Sequence, residues 1–369
     1  MTAILPFARE RILIIGSTPL AAEVARELQS KPRGRHALVA LVDEPPGTAT
    51  AAIDCPLRGS LAELPRIVDM AKPARVLVAL AERRRRTPVR ALVESCVARG
   101  IVVEDAAEFY ERITGRLAIE SVTPTSLVYG RRFGPSGFSQ IFSRTLSLLV
   151  AMLGLVLFSP LFVLIAIAVK LDSDGPVLFV HRRVGLHGRP FSLLKFRTMH
   201  AASSARSEWE RDNRDRVTRV GRLLRAFRLD ELPQFINILR GEMNLVGPRP
   251  HPASNFELFT LVARNINQTT GGAVDYYTLR SMVRPGITGW AQVRYQYAND
   301  LDEEIEKLRY DLYYVKYLSP AVDLRVLAGT VFVMLKGHPA GRGGRPVPAA
   351  PEGRPAVTLG AAVNTTQAA

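Results

Sequence analysis

Cysteine is scarce in this sequence, with only Cys55 and Cys96 among 369 residues. Neither belongs to a Cys-x-x-Cys motif or to a cluster with histidine, which argues against a disulfide framework and against a zinc site. Three histidines that could serve as metal ligands are scattered, and we interpret them as structural or solvated side chains: His181, His187 and His200. A reducing compartment fits this composition best.

A signal peptide is missing as well. The segment MTAILPFARERILIIG has an apolar run of only a few residues before it continues into a strand-like stretch. We therefore expect the first 130 residues to stay in the cytoplasm.

Acidic residues are few relative to basic ones: 34 Asp and Glu oppose 49 Lys and Arg, for a formal net charge of +15. This balance predicts an anionic partner, and charge alone leaves open nucleic acid, a phosphorylated substrate or an acidic membrane surface. The excess is concentrated between His181 and Arg249, where 14 arginines and one lysine oppose seven acids. No DNA- or RNA-binding module is visible, so phosphate groups at a membrane surface explain the charge better than nucleic acid.

Residues 1–123 alternate short apolar runs with helical patterns, which is typical of successive βαβ units. The pattern predicts an α/β fold with a Rossmann-like parallel sheet. Its strands are predicted at 12–15, 37–42, 76–80 and 101–103, and its helices near 19–29, 61–71 and 88–98.

The Gly-x-Gly-x-x-Gly spacing of dinucleotide-binding loops is absent from this region. GSTPLA at 16–21 nevertheless resembles a nucleotide-binding turn, and Asp43 ends the second strand where a ribose-binding acid would lie. A sheet used for regulation or assembly is favoured. The alternative is an oxidoreductase or epimerase that acts on nucleotide sugars with bound NAD.

Long apolar runs are rare, and only one could serve as a membrane segment. After a polar linker at 124–140, residues 146–169 contain no charged side chain over 24 positions. At about 1.5 Å per residue, such a helix can cross a hydrocarbon core of about 30 Å. Ser159-Pro160 interrupts the run, because the proline cannot donate the helical hydrogen bond to Val156.

Two topologies of this apolar segment are open from these residues. Basic side chains flank both ends, so the positive-inside rule gives no orientation for a spanning helix. A re-entrant hairpin over 141–171 would keep both ends in the cytoplasm. A kinked spanning helix is equally compatible with the proline.

Residues 172–337 are predicted to form a compact, mainly helical and basic domain. A β-hairpin is predicted around the turn GLHGRP at 185–190. Leu223, Leu224 and Phe227 lie at helical spacing among arginines. This pattern is typical of a helix that lies on an anionic surface, and an amphipathic helix of the core would look similar.

The C-terminal part of the chain carries one aromatic band and one further apolar stretch. The band suits either a headgroup interface or the core, and comprises Tyr310, Tyr313, Tyr314 and Tyr317. Residues 324–337 are apolar but too short to span a membrane comfortably. The Gly-, Pro- and Ala-rich tail, 338–369, is expected to be disordered.

Adjacent carboxylates lie within the basic stretch FRLDELPQFINILRGEMNLVGPRPHP at 227–252. A solvated salt-bridge face is one interpretation of Asp230 and Glu231. The other is a reactive site, since surrounding cations favour an ionised Asp230, and Pro233 marks the first turn of a helix whose dipole adds to this effect. An ionised carboxylate can act as a nucleophile, and two together can hold Mg²⁺ beside substrate phosphates.

Three long motifs are informative about family: LLKFRTM (193–199), TRVGRLLRAFRLDELPQFINILRGEMNLVGPRP (218–250) and RPGITGWAQV (284–293). They closely resemble the bacterial sugar transferases called monotopic phosphoglycosyltransferases, which take part in exopolysaccharide assembly. The likeness runs from about Gly137 to Gly337. The stretch 267–300 resembles the exosortase-associated subgroup. Residues before the apolar segment resemble the Rossmann-like domain of longer members, whose N-terminal membrane helices this chain is expected to lack.

The resemblance implies a reaction and a set of site residues. Asp230 would be the nucleophile that takes a phosphosugar from a UDP-sugar and releases UMP, and Glu231 would help to place Mg²⁺. The phosphate of undecaprenyl phosphate would then attack, giving undecaprenyl-diphospho-sugar at the cytoplasmic face of the bacterial inner membrane. The resemblance further implies phosphate binding by Lys195, Arg197 and Arg225, a nucleotide pocket at Pro248, Arg249 and Pro250, and a re-entrant helix break at Ser159 and Pro160.

The sequence is also compatible with further partners and with one non-enzymatic function. The expected partners are a UDP-sugar, undecaprenyl phosphate and inner-membrane lipids, with homo-oligomers and exopolysaccharide assembly proteins left open. A membrane-tethered assembly protein with an inactive transferase domain is the non-enzymatic alternative. The intact DE, KFRTM and PRP motifs argue against it.

Overall fold

The structure is a computed structural model that describes residues 9–31, 34–42, 53–80, 89–119, 122, 133–200, 215–253, 276–295 and 301–336. Asp43, most of the linker predicted at 124–140 and the tail 338–369 lie outside the described residues.

The N-terminal region is a five-stranded parallel sheet, as its sequence pattern predicts. The strand order is β3-β2-β1-β4-β5, and every neighbouring pair is parallel. The predicted strands are confirmed within one or two residues, and the short β3 is additional. The strands are β1 (Glu10–Ile15), β2 (His36–Val42), β3 (Leu57–Gly59), β4 (Arg75–Val78) and β5 (Val102–Asp105).

Helices pack on both faces of this sheet because successive strand residues point to opposite sides. In β1, Ile12 and Ile14 belong to one apolar core, while Leu13 and Ile15 belong to the other. Burial on both faces explains why the strands are continuously apolar rather than alternating. The helices are α1 (Pro19–Gln29), α2 (Leu64–Ala71), α3 (Val89–Ser95) and α4 (Ala106–Thr114).

Two consecutive helices form the apolar segment. The first, α5 (Gly137–Leu157), begins nine residues before the uncharged run, and Ser136 caps it by accepting a hydrogen bond from the Ser139 backbone N–H at 3.2 Å. The second, α6 (Ser159–Asp172), follows directly after Phe158. Within the described ranges, α5 is the one helix whose length and composition would suffice to cross a membrane.

The helix break has a local hydrogen-bond explanation. Pro160 cannot donate to the Val156 carbonyl, and the Ser159 hydroxyl donates to that carbonyl instead at 2.9 Å. The Ser-Pro pair therefore ends one helix and starts the next without leaving the Val156 oxygen unpaired.

The C-terminal region is mainly helical with two small sheets. Strands β6 (Leu178–Val184) and β7 (Pro190–Phe196) form the predicted antiparallel hairpin, and β8 (Asn244–Val246) pairs in parallel with β9 (Gly286–Thr288). The helices are α7 (Arg219–Ala226), α8 (Gln234–Leu239), α9 (Tyr276–Arg280), α10 (Trp290–Arg294), α11 (Leu301–Tyr317) and α12 (Pro320–Lys336).

The two regions meet where α4 packs near α11. The Trp290 indole N–H donates to the Gly115 carbonyl at 2.8 Å, and a side chain at Gly115 (φ 70°) would contact that indole at 3.0 Å. Buried Glu111 accepts hydrogen bonds from Lys316 at 2.6 Å and from the Tyr317 hydroxyl at 2.7 Å. The sheet is thus attached to the helical region by specific polar contacts.

The tyrosine band of α11 lies in the core and at this contact. Tyr314 is fully buried, and its hydroxyl donates to Asp323 at 2.8 Å. Tyr313 stacks on Trp290 with ring centroids 5.5 Å apart, and Tyr317 lies 4.7 Å from Tyr313. Of the two interpretations from sequence, the packing favours the core.

Candidate active site

The adjacent carboxylates lie in a tight turn rather than in a regular helix. Residues Leu229–Glu231 form one turn of 3₁₀-helix, and α8 begins only at Gln234 after Pro233. Arg228, just before the turn, has φ 55°, a conformation that non-glycine residues seldom adopt. The sequence predicted Pro233 in the first turn of a helix, whereas Pro233 is the N-cap of α8. Because α8 begins four residues after Asp230 and has only six residues, its dipole contributes little at Asp230.

Glu231 is surrounded by cations from three parts of the chain. Its Oε1 lies 2.9 Å from Lys195 Nζ, on β7, and 3.0 Å from Arg249 Nη2, after β8. Its Oε2 lies 3.9 Å from Arg228 Nη1. Glu231 is only 6% exposed, so its carboxylate has lost most of its contact with water. The contacts with the three cations offset the free-energy cost of this desolvation.

Asp230 is almost as buried, at 8% exposure, but it is bound more loosely. Its Oδ2 lies 3.8 Å from Lys195 Nζ, which is beyond hydrogen-bonding distance. The two neighbouring carboxylates therefore differ: Glu231 takes the close cation contacts, and Asp230 lies beside them.

The pKa shifts of the pair follow from this asymmetry. Burial raises the pKa of Asp230; Lys195 opposes this effect and Glu231 adds to it. Burial also acts on Glu231, but Lys195 and Arg249 outweigh it and hold the pKa of Glu231 far below its usual range. The sequence predicted that cations dominate at Asp230, whereas in the fold they act mainly on Glu231.

Buried Asn237 on α8 helps to position Lys195. Its side-chain amide donates to the Ser192 carbonyl at 2.7 Å and accepts from the Leu194 N–H at 3.0 Å. These bonds pair backbone groups of β7 just before Lys195, as the backbone of a neighbouring strand would do. The sequence offered no signal for this role beyond a polar residue in the apolar run FINIL.

Arg197 and Arg225 occupy different surroundings from Lys195. The Arg197 guanidinium donates to backbone carbonyls at the end of α6 and just after it: Ser173 at 2.6 Å, Val169 at 3.3 Å, and Pro176. It therefore closes the C-terminal end of α6, a contact that the sequence did not reveal. Arg225 Nε donates to Thr198 Oγ1 at 3.0 Å, and its charge acts on Asp230. Phosphate binding by either arginine stays a prediction.

The Pro248-Arg249-Pro250 loop follows β8 and packs closely on β9. The Pro248 carbonyl accepts from the Gly286 N–H at 3.0 Å, and a side chain at Gly286 would meet the Gly247 backbone at 2.1 Å. This close approach requires the glycines of the GPRP and PGITG motifs. It brings Arg249 to Glu231, and the nucleotide-binding role of the loop stays a prediction.

A second buried ion pair, between Arg280 and Asp311, contacts the backbone of Arg249. Arg280 Nε lies 2.8 Å from Asp311 Oδ2, and Arg280 Nη2 donates to the Arg249 carbonyl. Both side chains of the pair are almost fully buried. Neither residue was identified from the sequence, because they come from α9 and α11, far apart in the chain.

A preformed cluster of metal ligands is not found in the part of the chain that the structure describes. Groups of three or more His, Cys, Asp or Glu side chains suited to a metal are absent from the described residues. The chemistry of Asp230 and Glu231 nevertheless fits Mg²⁺, which is held in many phosphate sites by one or two carboxylates together with substrate oxygens. Of the three scattered histidines, His181 stacks on Phe179 at 5.8 Å.

Apolar side chains are exposed next to this site. Leu223 on α7 and Phe227 at its C-cap are exposed while Leu224 is buried, so the amphipathic helix has both a core face and an outward apolar face. Along α5 and α6, exposed apolar residues include Leu153, Val156 and Leu164. Large exposed apolar surfaces indicate contact with a membrane or another protein.

Comparison with known proteins agrees with the motifs. The family model for bacterial sugar transferases matches residues 138–337. A UDP-N-acetylgalactosamine-undecaprenyl-phosphate N-acetylgalactosaminephosphotransferase of Aeromonas hydrophila is 36% identical, over 66% of this chain and 55% of the relative. Two UDP-glucose:undecaprenyl-phosphate glucose-1-phosphate transferases are also similar. That of Escherichia coli K12 is 40% identical over 53% of this chain and 41% of the relative. That of Caulobacter vibrioides is 41% identical over 51% of this chain and 67% of the relative.

The matched regions differ in how much of each relative they cover. The chain spans about half the length of the first two relatives and two thirds of the third. The matched part of this chain contains the acidic pair, Lys195 and the Pro248-Arg249-Pro250 loop. The chain belongs to the bacterial sugar transferase family.

Proposed function

We propose that this protein transfers a sugar-1-phosphate from a UDP-sugar to undecaprenyl phosphate, with UMP and undecaprenyl-diphospho-sugar as products. The names of its relatives support the acceptor and the class of reaction, and differ in the sugar. The observation that carries the proposal is the asymmetry of the buried pair: Glu231 is bound closely by Lys195 and Arg249, while Asp230 lies 3.8 Å from Lys195.

In the first step, a carboxylate oxygen of Asp230 attacks the sugar-bearing β-phosphorus of the UDP-sugar. A new P–O bond forms to Asp230, the P–O bond to the bridging oxygen breaks, and UMP leaves with that oxygen and its electron pair. Loose contact with Lys195 suits a nucleophile, because it leaves an Asp230 oxygen outside a close ion pair with that lysine and available for attack. Lys195 and Arg249 are positioned to stabilise charge on the transferring phosphoryl group.

In the second step, a phosphate oxygen of undecaprenyl phosphate attacks the same phosphorus. The P–O bond to Asp230 breaks, the carboxylate regains its electron pair, and the diphosphate bond forms. The covalent intermediate allows the water-soluble donor to leave before the lipid reacts, so the two anionic substrates never have to occupy the site together.

Mg²⁺ would be held by Asp230 and Glu231 together with substrate phosphate oxygens. When bound, it would neutralise charge on the diphosphate. The residues of the chain supply positioning: Lys195 and Arg249 fix Glu231, and the Arg280–Asp311 pair holds the Arg249 backbone.

We further propose that α5 and α6 form a re-entrant hairpin that enters the membrane from the cytoplasmic face of the bacterial inner membrane. The break after Leu157, the Ser159 bond to Val156 and the exposed apolar side chains support this topology. A hairpin keeps both ends on one side, together with the site. The lipid phosphate would then meet Asp230 at headgroup depth.

The covalent step can be tested with UDP-sugar labelled with ³²P at the β-phosphate, in the absence of lipid. We expect labelled protein after denaturation of the wild type, none from Asp230→Asn, and UMP release lower by about 1000-fold or more in that variant. Asp69→Asn, at a mostly exposed acid on α2, is the control and should label normally. Turnover of donor and lipid with no label ever trapped on the wild-type protein would refute the intermediate. A panel of UDP-sugars in this assay identifies the sugar.

The topology can be tested with single cysteines in a chain carrying Cys55→Ser and Cys96→Ser. Gln140→Cys and Asp174→Cys place exposed thiols at the two ends of the helical pair. A hairpin predicts that a membrane-impermeant maleimide labels neither position in spheroplasts and both after permeabilisation. Labelling of Asp174→Cys in intact spheroplasts would instead establish a spanning helix.

A further inference from the structure

A cavity of about 280 Å³ opens beside the acidic pair and is almost entirely apolar. Glu231 and Arg228 form its charged end, and the remaining lining consists of Leu232 and side chains of α8, β8, β9, α10 and α12. Three hydrophobic clusters contribute to its wall, through Leu232, Ile287 and Leu327. The cavity therefore lies where the separate apolar cores of the region meet.

The polar side chains in the apolar part of the cavity, Thr288, Gln292 and Thr330, form hydrogen bonds within the protein. The hydroxyls of Thr288 and Thr330 lie 2.7 Å apart, and the Gln292 amide donates to the Ile287 carbonyl at 3.1 Å. A uridine or a sugar has many polar groups that would need new partners here, at a cost in free energy. An apolar ligand does not carry this cost.

The charged end of the cavity offers a cation that is not bound closely to the acidic pair. Arg228 Nη1 is 3.9 Å from Glu231, longer than the contacts of Lys195 and Arg249, and its side chain is 32% exposed. A ligand with an anionic head and an apolar body would place its head at Arg228, next to Asp230.

The other end of the cavity reaches the exposed apolar surface. Leu327, Thr330, Val331 and Met334 line it at helical spacing on α12, and the last two are more than half exposed. Phe235, also in the lining, packs so closely on α5 that a side chain at Gly154 would meet its ring at 2.6 Å. The cavity thus borders the helix that we propose to enter the bilayer.

We propose that this cavity binds the apolar chain of the lipid phosphate acceptor, with the isoprene units nearest the phosphate inside it and Arg228 at the phosphate. The proposal rests on the function proposed above. The volume lies just below the roughly 300–1000 Å³ of small-molecule pockets, so the cavity holds only a short part of a long prenyl chain. The remainder stays in the membrane beside α5 and α12.

The kinetic test separates the two half-reactions. Val331→Trp fills the cavity from α12, so we expect the KM for undecaprenyl phosphate to rise at least about tenfold while ³²P labelling of the protein from UDP-sugar stays within about twofold. Leu335→Trp is the matched control, since Leu335 is on the same helix, exposed and outside the cavity lining. It should change neither value. An unchanged acceptor KM in Val331→Trp would overturn the proposal.

A binding test on the wild-type protein needs no variant to fold. A prenyl phosphate with a diazirine near the phosphate end should, after irradiation in detergent micelles, crosslink to peptides that contain 286–294 and 320–336. Crosslinks confined to α5 and α6 would overturn the cavity as the binding site. Absence of ³²P labelling in the wild type would refute the proposed transferase mechanism, and the crosslink position would still report on the cavity.

Arg228 is tested separately through the second half-reaction. We expect Arg228→Gln to slow transfer from preformed labelled protein to the lipid by a larger factor than it slows label formation. Equal effects on the two steps would mean that Arg228 supports Glu231 and does not bind the lipid phosphate.

Discussion

The sheet region and the transferase region bury different kinds of side chain. Among the described residues of the sheet region, 9–119 with its gaps, Ser95 and Glu111 are the buried polar side chains, and Glu111 lies at the contact with α11. The transferase region buries many more, including Asp230, Glu231 and Asp311. Buried charge is costly unless it is paired, so its concentration in one region indicates where the fold supports chemistry.

The two regions make different contributions to the protein. The cores on the two faces of the sheet, as far as the structure describes them, are apolar and contain no precisely placed charges. This region is therefore compatible with several functions, such as regulation or assembly. The transferase region instead contains two ion pairs, Asp311–Arg280 and Arg249–Glu231, which are joined by a hydrogen bond from Arg280 to the Arg249 backbone carbonyl. If this division holds, substitutions in the sheet should affect stability and those at the acidic pair should affect chemistry.

The largest free-energy effect is expected in the sheet, without loss of chemistry. Leu77→Ala removes a fully buried side chain from β4 and should lower the free energy of unfolding by about 2–5 kcal/mol, measured by urea denaturation in detergent. Labelling of the protein by UDP-sugar should change less than about twofold at temperatures where the variant is folded. Met70→Ala, at an exposed position on α2, is the control and should change stability by less than about 0.5 kcal/mol. A parallel loss of labelling and stability would show that the two regions unfold as one unit.

A somewhat smaller free-energy effect, but a specific one, is expected at the site. Lys195→Met should slow label formation about 100-fold, because a cation next to the transferring phosphoryl group is lost. Lys195 also lowers the pKa of Asp230, against the effect of burial. Its removal raises that pKa further, so the rate should begin to fall at a higher pH as the solution is acidified.

The control for Lys195 lies in the sheet region. Lys31→Met removes a largely exposed lysine paired with Glu27 and should leave both rate and pH profile unchanged. An acidic limb at the same pH in Lys195→Met and wild type would mean that ionisation of Asp230 does not limit the reaction.

The smallest effect is expected at the contact between the regions. Glu111→Gln weakens the bonds from Lys316 and Tyr317 and should lower the free energy of unfolding by about 1 kcal/mol. A double-mutant cycle with Lys316→Met measures the coupling, and Glu108→Gln on the same helix is the control. Zero coupling would mean that the ion pair does not hold the regions together.

Much of the fold could be predicted from local patterns. The strands around Ile14, Leu41 and Leu77 are apolar runs between turn signals, and the helix at 19–29 agrees with the structure to the residue. The hairpin turn around His187 and the division of the apolar segment near Ser159-Pro160 also follow from short-range rules.

The contacts of the site could be predicted only in part. The motifs drew attention to Asp230, Glu231, Lys195 and Arg249, which the fold brings together. Arg197 was grouped with them because of its place in KFRTM, yet its donors bind carbonyls at the end of α6. Lys195 lies within β7, whereas Arg197 follows the last residue of that strand, Phe196, so the strand geometry that directs Lys195 to the site does not extend to Arg197.

The periodicities and the helix break follow from local sequence, because they depend on interactions between residues close in the chain, and the motifs supply the residue types at the site. That Glu231 takes the close cations while Asp230 stays more loosely bound follows from the folded structure and not from these local patterns. That division depends on Lys195, Arg228 and Arg249, which belong to separate parts of the chain and lie at different distances from Glu231. Burial strengthens the dependence on distance, because it lowers the effective dielectric constant around the charges. Electrostatic effects of this kind are set by three-dimensional separation, which the order of residues does not specify.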